Sequence, residues 1–111
     1  MGNRKVSETM EEKQKWPSVT MFAAEMRKQL EAHKDKGSDG TWLGDDIKDL
    51  LERLKEEVGE LEAIIHQRDR LPMEFSASKA LRDEMTRKII HEAADVGNFA
   101  MMVTGKAKAD L

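Results

Sequence analysis

Apolar residues recur at helical spacing in three tracts of the chain. In the first, Val19, Phe22, Ala23, Met26 and Leu30 share one side of a helix. Pro17-Ser18 stands before it. Proline is tolerated in a first turn and serine caps well, so this helix is expected from about Ser18 to about His33. In the second tract Ile47, Leu50, Leu51, Leu54, Val58, Leu61 and Ile65 form one stripe. Gly44-Asp45-Asp46 supplies its cap and sets two acids near the positive end of the helix dipole. The third tract carries Leu81, Met85, Ile89, Ala93, Val96, Ala100 and Val103, with Ser76 or Ser78 available as a cap.

The intervening segments read as connections. Lys34 to Thr41 is a loop by composition, with Trp42 and Leu43 at its exit. From His66 to Ser78 the apolar period is broken, and Arg68-Asp69-Arg70-Leu71-Pro72 is turn-like. Residues 1–17 are polar apart from Val6, Met10, Trp16 and Pro17, and are expected to form a flexible arm that Trp16 can pin to the body. Residues 18–111 form the helical domain, ending in a short polar tail from Gly105 that is expected to fray. Between Ala93 and Val103 the third helix is apolar nearly all round. Such a helix is buried on both sides, and in a chain this short a second subunit is the expected cover.

Composition narrows the class. At 111 residues the chain suffices for one domain with a modest core. Hydrophobic residues are 39% and charged residues 37%, with few aromatics, which suits an all-α protein rather than a β-sandwich. The net charge of −3, from 19 basic and 22 acidic residues, offers no bulk field for nucleic acid. Absence of cysteine excludes disulfides, thiolate metal sites and a cysteine nucleophile. No apolar run has the length of a membrane span and no signal-peptide pattern opens the chain, so a soluble, cytoplasmic protein is expected.

Two acidic pairs stand out against this background: Glu57 with Glu60, and Glu92 with Asp95. Spacing of three places both members of a pair on one helical face. Taking Leu54 and Ile89 as stripe centres, Glu57 and Glu92 each fall about 60° off their stripe, and Glu60 and Asp95 about 120°, on the same side. A single pair of this kind is common on a solvated face. Two matched pairs on different helices, each bordering the core, would gather four carboxylates, which a hard cation such as Mg²⁺ or Mn²⁺ would hold together. Arg53 and Lys88 stand four residues before Glu57 and Glu92. Ordinary i, i+4 ion pairs are the favoured reading for both, with phosphate binding as the other. His33, His66 and His91 are scattered in sequence and read as surface residues.

Glu56-Glu57-x-x-Glu60 followed by Glu92-x-x-Asp95 resembles the EExxE…ExxD signature of the MazG-type all-α nucleoside triphosphate pyrophosphohydrolases. That superfamily also holds the dimeric dUTPases and small dCTP-hydrolysing enzymes. Leu50-Leu51-x-x-Leu54 before the first motif and Asn98-Phe99-Ala100-Met101-Met102 after the second agree, so the likeness runs roughly from Trp42 to Thr104. Thirty-one residues separate Glu60 from Glu92, somewhat more than is usual in the family, and the linker around Leu71-Pro72 accounts for the excess.

The resemblance implies a MazG-like bundle of three to four helices completed by oligomerisation, as a homodimer or homotetramer. A final family helix would be very short or missing here, leaving residues 1–33 or a partner subunit to complete the bundle. It implies that Glu57, Glu60, Glu92 and Asp95 hold Mg²⁺, with Mn²⁺ as a substitute, and that Glu56 joins a further ion or helps activate water. The implied reaction converts a nucleoside triphosphate and water to the monophosphate and pyrophosphate, a housekeeping step on the nucleotide pool. Trp42 could stack on the base or simply pack over the helix start. Asn98 could pair with a base or sugar hydroxyl, or face solvent or a neighbouring helix. Lys88 could touch a phosphate. The alternative function is a non-catalytic helical oligomeric adaptor that retains the fold. A degraded site would have lost an acid, and all five are present.

Overall fold

A computed structural model describes residues 18–34, 41–72 and 76–111. The expected arm, residues 1–17, and most of the loop before Trp42 lie outside the described residues. The described chain is all helical: α1 (Val19–Ala32), a 3-10 turn (Thr41–Gly44), α2 (Ile47–Asp69) and α3 (Ser76–Ala109). No helix among the described residues is long and apolar enough to cross a membrane.

α1 starts where the serine cap placed it. The Ser18 hydroxyl accepts from the Met21 N–H at 2.9 Å, satisfying one of the free donors of the first turn. α2 starts after Asp46, whose carbonyl accepts the first helical bond from Leu50 N–H, although its side chain makes no capping bond.

Two boundaries differ from expectation. α2 continues through His66, Arg68 and Asp69, so the turn is confined to the residues after it. The apolar stripe ends near Ile65, but helix propensity does not: Arg and Gln are good helix formers, and His66 and Arg68 favour the negative end of the dipole. α3 likewise runs on through the tail to Ala109, instead of fraying from Gly105. Alternating Ala and Lys support helix there, Lys106 pairs with Asp110 at 3.7 Å, and Trp42 packs on Gly105.

α3 is the central element, and α1, the 3-10 turn and α2 all pack on it. α2 runs antiparallel to it: Arg53 lies over Phe99 while Glu57, one turn further on, meets Glu92 and Asp95. α1 and the 3-10 turn dock at two glycines. A Cβ at Gly97 would lie 2.7 Å from Phe22 Cζ, and one at Gly105 would lie 2.7 Å from Trp42 Cη2, so each ring occupies the space a side chain would need.

The closed core is small. Leu50, Ala94 and Met102 are its buried apolar members, joined by buried Asn98. The α2 stripe is wider than α3 can cover, so Leu51 and Val58 remain 42% and 45% exposed at its edge. On α3, Ile90 and Met101 are similarly exposed.

Candidate metal centre

Antiparallel pairing of α2 and α3 lays the two acidic motifs side by side. Glu57 comes from the middle of α2, and Glu92 and Asp95 from the middle of α3, far from any frayed end. One ligand oxygen from each of these three lies within 4.8 Å of the others, a group that could hold a metal ion. Glu57 Oε2 and Glu92 Oε2 are buried without a hydrogen-bond partner. Such orphaned oxygens are costly, because desolvation is not offset by any protein donor.

The electrostatics carry the same signature. Burial first, and then the adjacent carboxylates of Glu60, Asp95 and Glu92, push Glu57 up to about 8. Burial and the neighbouring Glu60 and Asp95 push Glu92 up to about 7. Asp95 is also raised, chiefly by burial, while His33 and His91 oppose the rise. Several acids in one low-dielectric volume cannot all ionise together without a counter-charge. A hard cation supplies one, and oxygen donors are the ligands such ions take, so the donor set fits a divalent ion of this kind.

These acids form one end of a cleft of about 470 Å³. Phe99 and Met102, one and two turns beyond Asp95 on α3, make the wall apolar there, and Leu30, Trp42 and Asn98 also line the cleft. Arg53 forms part of the wall between the two ends. Its guanidinium sits 4.6 Å from the Phe99 ring centroid and 3.7 Å from Asp45 Oδ2. Gln29 and His33 enter from α1, and His91 from the turn of α3 before Asp95.

Comparison with known proteins adds nothing to this geometry. No family model, curated protein or solved structure matches the chain.

The sequence-derived residues fall into three groups. Glu57, Glu92 and Asp95 converge, and Glu60, exposed at the rim, lines the same cleft. Trp42 and Asn98 line it as well. Trp42 packs on Gly105 of α3, and Asn98 donates from Nδ2 to the Met26 carbonyl at 3.0 Å. Glu56 and Lys88 are exposed and are not among the residues that line the cleft.

One basic side chain takes a different partner from the expected one. The ion pair that Arg53 makes is with Asp45 and not with Glu57, because the guanidinium is drawn across the Phe99 face. His91 is exposed, as expected, and His33 is half-buried, and both line the cleft. For His91 a signal was present: it stands four residues before Asp95, hence on the same helical face. His33 gave none, since its approach depends on how α1 crosses α3.

Proposed function

We propose that this chain is a metal-dependent nucleoside triphosphate pyrophosphohydrolase of the MazG type. The observation that carries the proposal is the convergence of Glu57, Glu92 and Asp95, with two buried carboxylate oxygens lacking any protein partner. The completeness of the EExxE…ExxD pattern supports it. An adaptor that merely kept the fold would have no reason to retain a mutually repelling set of acids at the cost of stability.

In this reading Glu57, Glu92 and Asp95, with Glu60 at the rim, hold Mg²⁺ or Mn²⁺. The ion when bound supplies charge neutralisation at the phosphates and a lowered pKa for coordinated water. The chain does the positioning. The acids fix the polar end of the cleft on two rigid helices, and Arg53, His33 and His91 offer N–H donors to the oxygens of the triphosphate. Glu56 stands one turn before Glu60 on the exposed side of α2, where it can act only at the mouth, on a further ion or an attacking water. Lys88, outside the cleft wall, has at most a long-range role. The apolar end with Trp42 takes the nucleoside. Hydrolysis breaks the α–β anhydride bond, water oxygen joining the α-phosphorus and pyrophosphate leaving.

The working form is proposed to be a homo-oligomer. Leu51 and Val58 on α2 and Ile90 and Met101 on α3 expose apolar surface that a second copy would cover.

The deciding experiment measures pyrophosphate release from deoxy- and ribonucleoside triphosphates with Mg²⁺ or Mn²⁺, with and without EDTA, for the native chain and Glu57→Gln. Metal-dependent release that disappears in the variant is expected. Silence across the panel, with no thermal shift on adding metal, would favour the adaptor.

A further inference from the structure

Among the described residues that line the cleft, Arg53 is the one arginine or lysine. It stands four residues before Glu57 on α2. Its guanidinium lies 4.6 Å from the ring centroid of Phe99, which stands four residues beyond Asp95 on α3. The charge is therefore set about one turn, roughly 6 Å, from the acids on both helices. It is not spent on them. Arg53 pairs with Asp45, and at 3.7 Å that contact is longer than a hydrogen bond. Among the described residues no acceptor takes a hydrogen bond from Arg53, and its side chain is 46% exposed. Stacking on a ring face holds the plane of a guanidinium and leaves its N–H edge free, a fork that matches the oxygens of a phosphate.

The order of residues along α3 says which phosphate meets this fork. Counting from Asp95, Phe99 lies about 6 Å along the helix, Met102 about 10 Å, and Gly105, on which Trp42 packs, about 15 Å. Acids, guanidinium and indole thus follow one another along the cleft. A nucleotide laid with its phosphates at the acids and its base towards the indole passes the guanidinium with its α-phosphate. Sugar and base then occupy the stretch between Phe99 and Trp42, and the β- and γ-phosphates fall on the far side of the acids.

Resting on the hydrolase reading above, we propose that Arg53 grips the α-phosphate, and so binds the nucleoside monophosphate half of the substrate and not the pyrophosphate half. Phe99 keeps the fork flat against the wall. Because Asp45 and Phe99 draw the guanidinium away from Glu57, the acids stay available for a cation while the arginine stays available for an anion.

The test is calorimetric binding of dAMP, dCMP, dGMP, dTMP and inorganic pyrophosphate in the presence of Mg²⁺, to the native chain, Arg53→Gln and Arg53→Lys. For the tightest of the four monophosphates, Arg53→Gln is expected to lose about tenfold to a hundredfold in affinity, while pyrophosphate affinity stays the same. Arg53→Lys keeps the charge without the flat fork and should recover only part of the loss. Unchanged pyrophosphate binding in the same variant shows an intact fold and acid set, a split that a merely structural role would not produce. Loss of pyrophosphate affinity with monophosphate binding retained places Arg53 at the leaving group and overturns the proposal. Equal loss of both ligands in both variants, loss of neither, or a native chain that binds none of the monophosphates overturns it as well. Pyrophosphate release from the matching triphosphates keeps the two readings apart. Release by a native chain whose monophosphate binding is indifferent to Arg53 sinks this assignment alone, whereas Arg53-dependent monophosphate binding without any release sinks hydrolysis alone.

Discussion

Glu57 and Glu92 face one another across the α2–α3 seam, and each has a carboxylate oxygen, Oε2, buried without a hydrogen-bond partner outside the acidic group. A stable fold seldom keeps two acids in that relationship for its own sake. Removing one partner with no ion present should relieve repulsion and desolvation together. Glu57→Gln is therefore expected to melt a few degrees higher than the native chain in EDTA, and to lose any stabilisation by Mg²⁺ or Mn²⁺. Pyrophosphate release should fall on the order of a hundredfold or more. A variant that melts lower in EDTA would mean that the pair is stabilising as it stands.

Stability without metal should decline as pH rises. Glu57 is raised from 4.5 to about 8 and Glu92 from 4.5 to about 7 in the folded chain. Between those limits the native state binds protons that the unfolded chain has already released, so stability is full below about 4.5 and is lost towards 8. Added Mg²⁺ reverses the trend, since it competes with those protons, and its thermal shift should be larger at pH 8 than at pH 6. Melting curves across this range, with EDTA and with Mg²⁺, check both signs.

Trp42 is held in the cleft by the missing side chain at Gly105. A Cβ there would lie 2.7 Å from Trp42 Cη2 and 3.3 Å from Cζ3. Gly105→Ala is expected to displace the indole and destabilise the chain by about 1–3 kcal/mol, despite the better helix propensity of alanine. In a Trp16→Phe background, Trp42 emission should shift to the red. Unchanged emission with raised stability would show that the ring does not depend on the notch.

Gly59, by contrast, meets nothing within 4 Å of a built Cβ, although it lies inside α2 between the motif acids. Gly59→Ala should therefore stabilise α2 by about 0.5–1 kcal/mol. Thermal denaturation of the variant beside Gly105→Ala tests whether the two glycines differ as their surroundings require.

Leu51 and Val58 stand one face apart from the α2–α3 seam and remain substantially exposed. If a second copy covers them, Leu51→Glu with Val58→Glu should reduce the assembly to monomer in sedimentation equilibrium, with the helical content of each chain retained. A native chain that sediments as a monomer would remove the oligomer from the proposal.

The sequence by itself determined a good deal. Helical periodicity located all three helices, because a stripe of apolar residues every 3.6 positions is the local requirement for packing a helix on one side. Ser18 marked the start of α1 through a bond that needs only its own first turn. The matched offsets of Glu57 and Glu92 from their stripes made a shared carboxylate site legible, since helix geometry converts spacing into facing direction. α2 and α3 run past the ends of their apolar stripes for a related reason: loss of an apolar stripe ends burial, whereas helix persists while propensity and end charges favour it. What only tertiary structure decided is whatever depends on one helix crossing another. Periodicity says which face of α1 is apolar, but not that Phe22 enters the gap at Gly97, that His33 reaches the Asp95 end of the cleft, or that the Met26 carbonyl fixes the Asn98 amide. It could not send Arg53 to Asp45 and Phe99, because partners on other segments compete with the neighbour four residues away. Spacing along a helix is a property of the chain alone, whereas the angle and depth at which helices meet follow from the shapes of both surfaces, and the cleft lies where they meet.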